Sequence, residues 1–393
     1  MATPEPIENP DSPMPDATSD DDDDDQELIA LGTSLIQAVL ERKSREDIKT
    51  ILAAGAPTWY QDDDGWSVLH AAAQVEDASI IPLLLEEGAL WNCVDNLGNS
   101  PGDIALSMNN EECYTAIRDA GLRSELTLQL LSAHTADMPS ELVFKVEDDS
   151  ALASTDAYLQ SQLRYTTDGY GQEIVLLRDP DNGIEVGVMM GWEKELMQES
   201  VRALCAEHPT LKAGKGLRIL NVGFGLGIID SLFQELNPPP AEHVIIEPHP
   251  DVLAHMRERG WFEKPGVRIL EGKWQDFVGT DALKDGGFDV VYTDTFSEDY
   301  EALHKFFKHV PKLLSGPDAR FGFFNGLGAT NAVFYDVYTR LAALNLDDLG
   351  LETEYEDVDV AEKQGVDRWG RTREYFSMRL YRMPVCRLKP ATS

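Results

Sequence analysis

The sequence predicts an open α/β sheet domain preceded by an all-α repeat domain, and three observations carry that prediction. Glycine-marked segments recur with a period of 33 residues through the first third of the chain. A short apolar run, Leu217–Val222, then leads straight into Gly223, Gly225 and Gly227, after which an apolar-faced helix begins. Beyond it, strand-like and helical runs alternate almost to the end of the chain, the pattern of a sheet with helices on its faces.

Composition bounds the class of protein. The chain has 393 residues, room for two domains, and a hydrophobic fraction of 42% supports folded cores. No apolar run is long enough to span a bilayer, so no membrane association is expected. The N-terminus lacks a basic segment followed by an apolar one and does not read as a secretory or mitochondrial signal. Cys93, Cys113, Cys205 and Cys386 are dispersed, with no CxxC pair, and read as thiols of a reducing compartment. The expected location is the cytoplasm and nucleus.

The net charge of -37 is a stronger constraint. Residues 1–27 carry eleven acidic groups, including the run Asp20 to Asp25, and no Lys or Arg. The remainder is still strongly acidic, a surface that repels nucleic-acid phosphates and anionic lipid and attracts a basic protein. Direct nucleic-acid binding is therefore not expected. The oligomeric state stays open. The expected organisation is a disordered acidic tail over 1–25, helical repeats over 26–122, a connecting segment over 123–160 and the sheet domain over 161–393.

The repeats begin with a helix over Glu27–Leu40, whose Leu28, Leu31, Leu35, Ile36 and Val39 suit one buried face. Gly32-Thr-Ser-Leu recurs as Gly65-Trp-Ser-Val and Gly98-Asn-Ser-Pro, and Gly55, Gly88 and Gly121 keep the same period after each apparent helix. These units resemble ankyrin repeats, best in the middle copy through Ser67-Val-Leu-His70; the third has Gly102-Asp103 in place of Leu-His. Pairs of short helices bury their apolar faces only by stacking on neighbours. His70 is expected to be structural, and Trp59, Trp66 and Trp91 to serve packing or partner contact. In the connecting segment, Leu142–Val146 reads as a short strand followed by an acidic run at Glu147.

In the sheet domain, strands are expected at Leu217–Val222, His243–Glu247, Val267–Leu270, Phe288–Tyr292, Arg320–Asn325, Leu351–Val360 and Tyr375–Arg382, with one helix around Tyr300–Leu314. The glycines let backbone approach a ligand at a strand-to-helix turn, and Glu247, twenty residues beyond Gly227, is placed to bind a ribose diol. Both a dinucleotide and S-adenosylmethionine fit this pattern. Ile228 occupies the final glycine position of the dinucleotide fingerprint, which favours the methyl donor. Trp274 either covers an adenine, with Gln275 or Asp276 reading its polar edge, or fills the core. Asp294, after an apolar strand, either holds a cation or hydrogen-bonds a loop. Glu193 lies in the first turn of an expected helix. The histidines form no metal-ligating cluster, so no metal is expected.

With these residues assembled, positions 160–390 resemble the guanidinoacetate methyltransferase group of class I S-adenosylmethionine-dependent enzymes. The matches are Met-Gly-Trp-Glu (190–193), Asn-Val-Gly-Phe-Gly-Leu-Gly-Ile (221–228), Val-Ile-Ile-Glu (244–247), Gly-Lys-Trp (272–274) and Tyr-Thr-Asp-Thr-Phe (292–296). The combination with ankyrin repeats is similar to the fungal type IV protein arginine N5-methyltransferases. The resemblance implies a Rossmann-like class I sheet, S-adenosylmethionine as cofactor, and methylation of the delta nitrogen of arginine in a large-subunit ribosomal protein. It assigns Gly223, Phe224, Gly225, Gly227, Glu247, Trp274 and Gln275 to the cofactor, and Glu193 and Asp294 to the guanidino group. The chain departs from the guanidinoacetate enzymes in carrying Tyr-Thr-Asp-Thr-Phe-Ser for their Tyr-Asp-Thr-Tyr-Pro. It also lacks the two-glutamate hairpin and Thr-His-Trp loop of ordinary arginine methyltransferases. The alternatives are a methyltransferase acting on a small guanidino compound and a noncatalytic ankyrin scaffold.

Overall fold

The computed structural model describes residues 21–135, 155–169, 171–178, 185–283, 287–296, 299–360 and 374–390. The strand expected over Leu142–Val146 and the acidic run after it lie outside them. The chain divides into two units at Ala120/Gly121.

The first unit holds α1 (Asp21–Leu40), α2 (Arg45–Ala53), α3 (Val68–Gln74), α4 (Ile81–Glu86), α5 (Pro101–Ser107) and the start of α6 (Glu111–Thr135). Helix α1 begins inside the acidic run that the sequence assigns to the tail. Helix α6 continues well into the expected connecting segment. The 33-residue period has a chemical basis. In the middle repeat the His70 Nδ1 accepts from the Ser67 backbone N–H at 3.0 Å, and its Nε2 bonds the Asn99 carbonyl of the next repeat at 3.0 Å. One repeat later, Asp103 closes the same turn by accepting from Ser100 N at 2.8 Å while Ser100 Oγ accepts from Asp103 N at 3.2 Å. The third copy has changed its capping residue and kept the cap. Trp91 is buried, Trp66 stacks on His70, and Trp59 stays 60% exposed.

The second unit opens with α7 (Thr155–Gln160) and an antiparallel sheet in the order β1 (Leu163–Thr167), β2 (Glu173–Arg178) and β3 (Glu185–Met190). Nothing in the sequence reading assigned this sheet. Its signals are an apolar run, Ile174–Leu177, after the closely spaced Gly169 and Gly171. A 3₁₀ turn, Gly191–Glu193, leads into α8 (Lys194–Cys205) and α9 (Pro209–Lys212). The main sheet then alternates strand and helix: β4 (Arg218–Val222), α10 (Ile228–Gln234), β5 (Glu242–Glu247), α11 (Pro250–Glu258), β6 (Val267–Glu271), α12 (Trp274–Phe277) and β7 (Val290–Thr293). It closes with α13 (Tyr300–Phe307), α14 (Val310–Leu313), β8 (Arg320–Phe323), α15 (Ala332–Asp348), β9 (Leu351–Asp359) and β10 (Leu380–Leu388).

In the sheet domain, two departures from the sequence reading trace to prolines. The helix expected over Tyr300–Leu314 is two, because Pro311 starts a new first turn rather than continuing the old one. The last strand is not Tyr375–Arg382 but runs to Leu388, with Pro384 opposite Tyr355 inside the ladder. Proline, which normally argues against a strand interior, hid it.

The sheet order is β6-β5-β4-β7-β8-β10-β9. Strands β4 to β8 pair in parallel, and β10 runs antiparallel to both β8 and β9. The first five follow the doubly wound order of dinucleotide enzymes, but the reversed strand lies where those enzymes add another parallel one. Both faces are covered. Leu220, Val222 and Val291 join one core cluster, while Ile219, Val290 and Tyr292, one residue away on the same strands, join another. Cys113, Cys205 and Cys386 are buried, and all four cysteines are free thiols.

Replacing His70 by alanine removes an inter-repeat bond and leaves the Ser67 N–H and Asn99 carbonyl without their partner. We expect this to cost about 1–3 kcal/mol in urea unfolding of the repeat unit, with cofactor affinity untouched. An unchanged unfolding midpoint would remove His70 from the repeat's framework.

Candidate active site

The chain leaves β4 toward β5 and β6 and returns on the other side as β7, so the loops after β4 and β7 diverge and open a crevice at the carboxyl ends of the strands. The two loops are laced to the sheet. Gly223 N donates to the Ile246 carbonyl at 2.9 Å, and Asp294 N donates to the Val222 carbonyl at 2.9 Å. A Cβ on Gly223 would stand 2.0 Å from the Asp294 carbonyl oxygen, and its φ of +92° is one that side chains disfavour. The glycine therefore sets how closely the two loops approach.

A cavity of about 450 Å³ fills the crevice. Of the residues singled out in the sequence, Gly223, Phe224, Gly225, Glu247, Trp274, Gln275, Glu193 and Asp294 all line it. Gly227 does not stand on its wall. It caps α10 with φ +68°, and a Cβ there would lie 2.4 Å from the Phe224 ring. Its part is to let that ring lie over the turn, where it meets Trp261 edge-on. Trp274 is part of the core, 5% exposed and edge-on against Phe306 and His309, and it also borders the cavity. Gln275 is exposed at the rim, whereas the Asp276 carboxylate accepts from Lys273 N at 3.1 Å and caps α12 instead of reading a base edge.

Glu247 ends β5 with only 4% of its surface exposed. One carboxylate oxygen accepts from Phe224 N at 2.9 Å and the other from His249 N at 2.7 Å. Burial pushes its pKa up to about 7 against the pull of these amides. The carboxylate thus ties the glycine loop to the turn after β5. A carboxylate has about four acceptor positions, so capacity remains for a diol in the cavity. Below the loop lies a buried polar cluster: Asn221 Nδ2 bonds the Gly223 carbonyl at 2.8 Å and Asp230 at 2.9 Å, and Asp230 faces His243 Nε2 at 3.0 Å.

Glu193 reaches the cavity from the 3₁₀ turn after β3, and Asp294 from the end of β7. Both are half-buried and line the cavity. Burial raises both pKa values above the carboxylate range, and for Glu193 the charge of Asp294 adds to it. No basic side chain acts on either carboxylate among the described residues. Tyr375 donates its phenol hydrogen to Glu193 Oε1. The sequence reading missed this tyrosine, placing it in a strand; its flanks carry no motif, and only the fold brings it to the site. Among the described residues no group of side chains has the makings of a metal site, and no helix is long and apolar enough to cross a membrane.

This topology, with a glycine loop, a buried carboxylate at the end of β5 and a single reversed strand, defines a class I S-adenosylmethionine-dependent methyltransferase. The chain belongs to the protein arginine N-methyltransferase 2 family. It is 40% identical over 378 residues to that protein of Cryptococcus neoformans var. neoformans, covering 92% of this chain and 96% of the relative. The protein of the same name from Aspergillus fumigatus is 36% identical over 79% of this chain and 77% of its own length. That of Aspergillus oryzae is 34% identical over 80% and 79%. Residues 181–318 match the guanidinoacetate N-methyltransferase family, and residues 35–126 match ankyrin repeats in three copies.

Glu247→Gln keeps the side chain's size and removes its charge. We expect roughly 10- to 100-fold weaker S-adenosylmethionine binding by calorimetry, the loss of a charged hydrogen bond, in a protein that stays folded. Because the Glu247 pKa is raised to about 7, wild-type affinity should fall as pH drops through neutral, and the variant should lack that fall. Unchanged affinity in the folded variant would sink the assignment.

Proposed function

We propose that the enzyme transfers one methyl group to the delta nitrogen of arginine in a basic protein, with a large-subunit ribosomal protein as substrate and the cytoplasm and nucleus as its location. The observation that carries this reading is the Glu193–Asp294 pair: two deep-set carboxylates in the cofactor's own cavity, with no cation paired to either among the described residues. Such a pair is costly alone and calls for a cation. A guanidinium is the planar, two-sided cation that pairs of carboxylates match. The relatives' shared name, protein arginine N-methyltransferase 2, supports protein arginine as the acceptor.

S-adenosylmethionine supplies an already electrophilic methyl group. What the chain must supply is position and charge. Glu247 would accept from the ribose hydroxyls, Gly223, Phe224 and Gly225 would admit the methionine end, and Trp274 and Gln275 would flank the adenine. Gly227 acts at one remove, by seating the Phe224 ring. Arginine is a poor nucleophile because its pKa exceeds about 12 and its lone pairs are delocalised. Glu193 and Asp294 hold the guanidinium, turn one nitrogen toward the methyl and favour localisation of its lone pair. Asp294 Oδ accepts the proton that the nitrogen releases; its raised pKa brings it nearer the working pH of a general base. The missing two-glutamate hairpin supports the internal nitrogen over the terminal ones. The acidic surface suits encounter with a basic protein.

Asp294→Asn should lower methyl transfer by roughly 10²- to 10⁴-fold while S-adenosylmethionine affinity changes little. A full rate would remove Asp294 from the mechanism. The product is settled by incubating the enzyme with labelled cofactor and cell extract and fragmenting the modified arginine in a mass spectrometer. Label on a terminal nitrogen would refute the delta assignment, and label only on a small metabolite would refute the protein substrate.

A further inference from the structure

We infer that Tyr375 is a positioning residue for methyl transfer: its phenol O–H donates to Glu193 Oε1 and fixes the carboxylate that shares the cavity with Asp294. The inference rests on the reading of Glu193 and Asp294 as the guanidinium site. Tyr375 lies on the segment that leads into β10, and that segment is anchored immediately beside it. Ser377 N donates to the Ala329 carbonyl at 2.8 Å, and Phe376 is fully buried against Tyr335 and Tyr381. The Tyr375 ring also packs on Trp192 at 5.7 Å, and Trp192 directly precedes Glu193. Backbone anchor, ring packing and hydroxyl therefore converge on one carboxylate.

The chemistry makes the tyrosine a donor at any working pH. Its own pKa is pushed well above the ordinary phenol value by burial, with the charge of Glu193 adding to the rise, so the phenol keeps its proton. A hydrogen bond given to a carboxylate favours the ionised form. Burial and the charge of Asp294 raise the pKa of Glu193, and the Tyr375 bond opposes them. Tyr292 and Tyr381, the other titratable groups that feel this pair, are also held protonated by burial. Among the described residues, Tyr375 is thus the group whose hydrogen bond lowers the cost of ionising Glu193 when a guanidinium arrives.

Tyr375→Phe removes the hydroxyl and keeps the ring on Trp192. The test uses the full chain, with Glu193→Gln beside it. It follows label transfer from S-adenosylmethionine to purified large-subunit ribosomal protein at subsaturating acceptor across pH, together with cofactor affinity by calorimetry. Tyr375→Phe should lower the rate about tenfold at neutral pH, move the acid limb upward by about one pH unit, and rejoin wild type at high pH. Cofactor affinity should not change. An acid limb that stays in place overturns the inference, whether the rate drops evenly, as for a merely structural residue, or not at all. Glu193→Gln running at full rate would instead sink the guanidinium reading itself. If wild type labels no ribosomal protein, methylguanidine binding measured by calorimetry supplies the same comparison: the pH dependence must shift in Tyr375→Phe, and an unshifted curve overturns the inference.

Discussion

The approach of the loop after β4 to the loop after β7 is the constraint on which the site depends. At the point where the strand order reverses, Gly223 and the Asp294 carbonyl lie too close for any Cβ between them. That closeness puts the glycine loop and the Asp294 carboxylate on one cavity. The reaction needs the same closeness, since methyl and nitrogen must meet without water intervening. The buried Asn221–Asp230–His243 cluster and the Glu247 carboxylate hold the glycine loop from below and from the side. Each replaces a loop amide or carbonyl's lost water with a fixed partner.

Electrostatics gives the site its direction. Glu247 shares its charge among backbone N–H groups, and a diol can take the acceptor positions left over. Glu193 and Asp294 lack any such compensation from basic side chains among the described residues, and Tyr375 is the neutral donor between Glu193 and an unfavourable burial. On the proposed reading, Glu247 serves hydroxyls and the Glu193–Asp294 pair serves a cation. No metal is required in this scheme, because two carboxylates and a charged methyl donor supply the polarity that the transfer uses.

The repeat unit follows a separate logic. Its period survives in chemistry where it fades in letters: histidine in one copy and aspartate in the next close the same turn. A capping position asks only for an acceptor at the right reach, so different residues satisfy it. The first copy has gone further, since Ser34 lies inside the continuous helix α1 and caps nothing.

By itself the sequence determined the two fold classes, the repeat period and the glycine loop, and it singled out Glu193, Glu247 and Asp294, which the fold brings to one cavity. These are local signals: periodicity marks a buried face, and closely spaced glycines mark a turn that must admit a ligand. It did not disclose the three-stranded sheet β1–β3, the length of β10 or the service of Tyr375. A strand with an internal proline reads as broken until a partner strand is seen beside it, and Tyr375 precedes that strand without any motif of its own. Trp274 could not be divided between core and cofactor, because it serves the packing with one edge and the cavity with another. Tertiary structure alone decided which charges share a space. Residues 193, 294 and 375 are far apart along the chain, and only the folded sheet domain sets the desolvation that shifts their protonation.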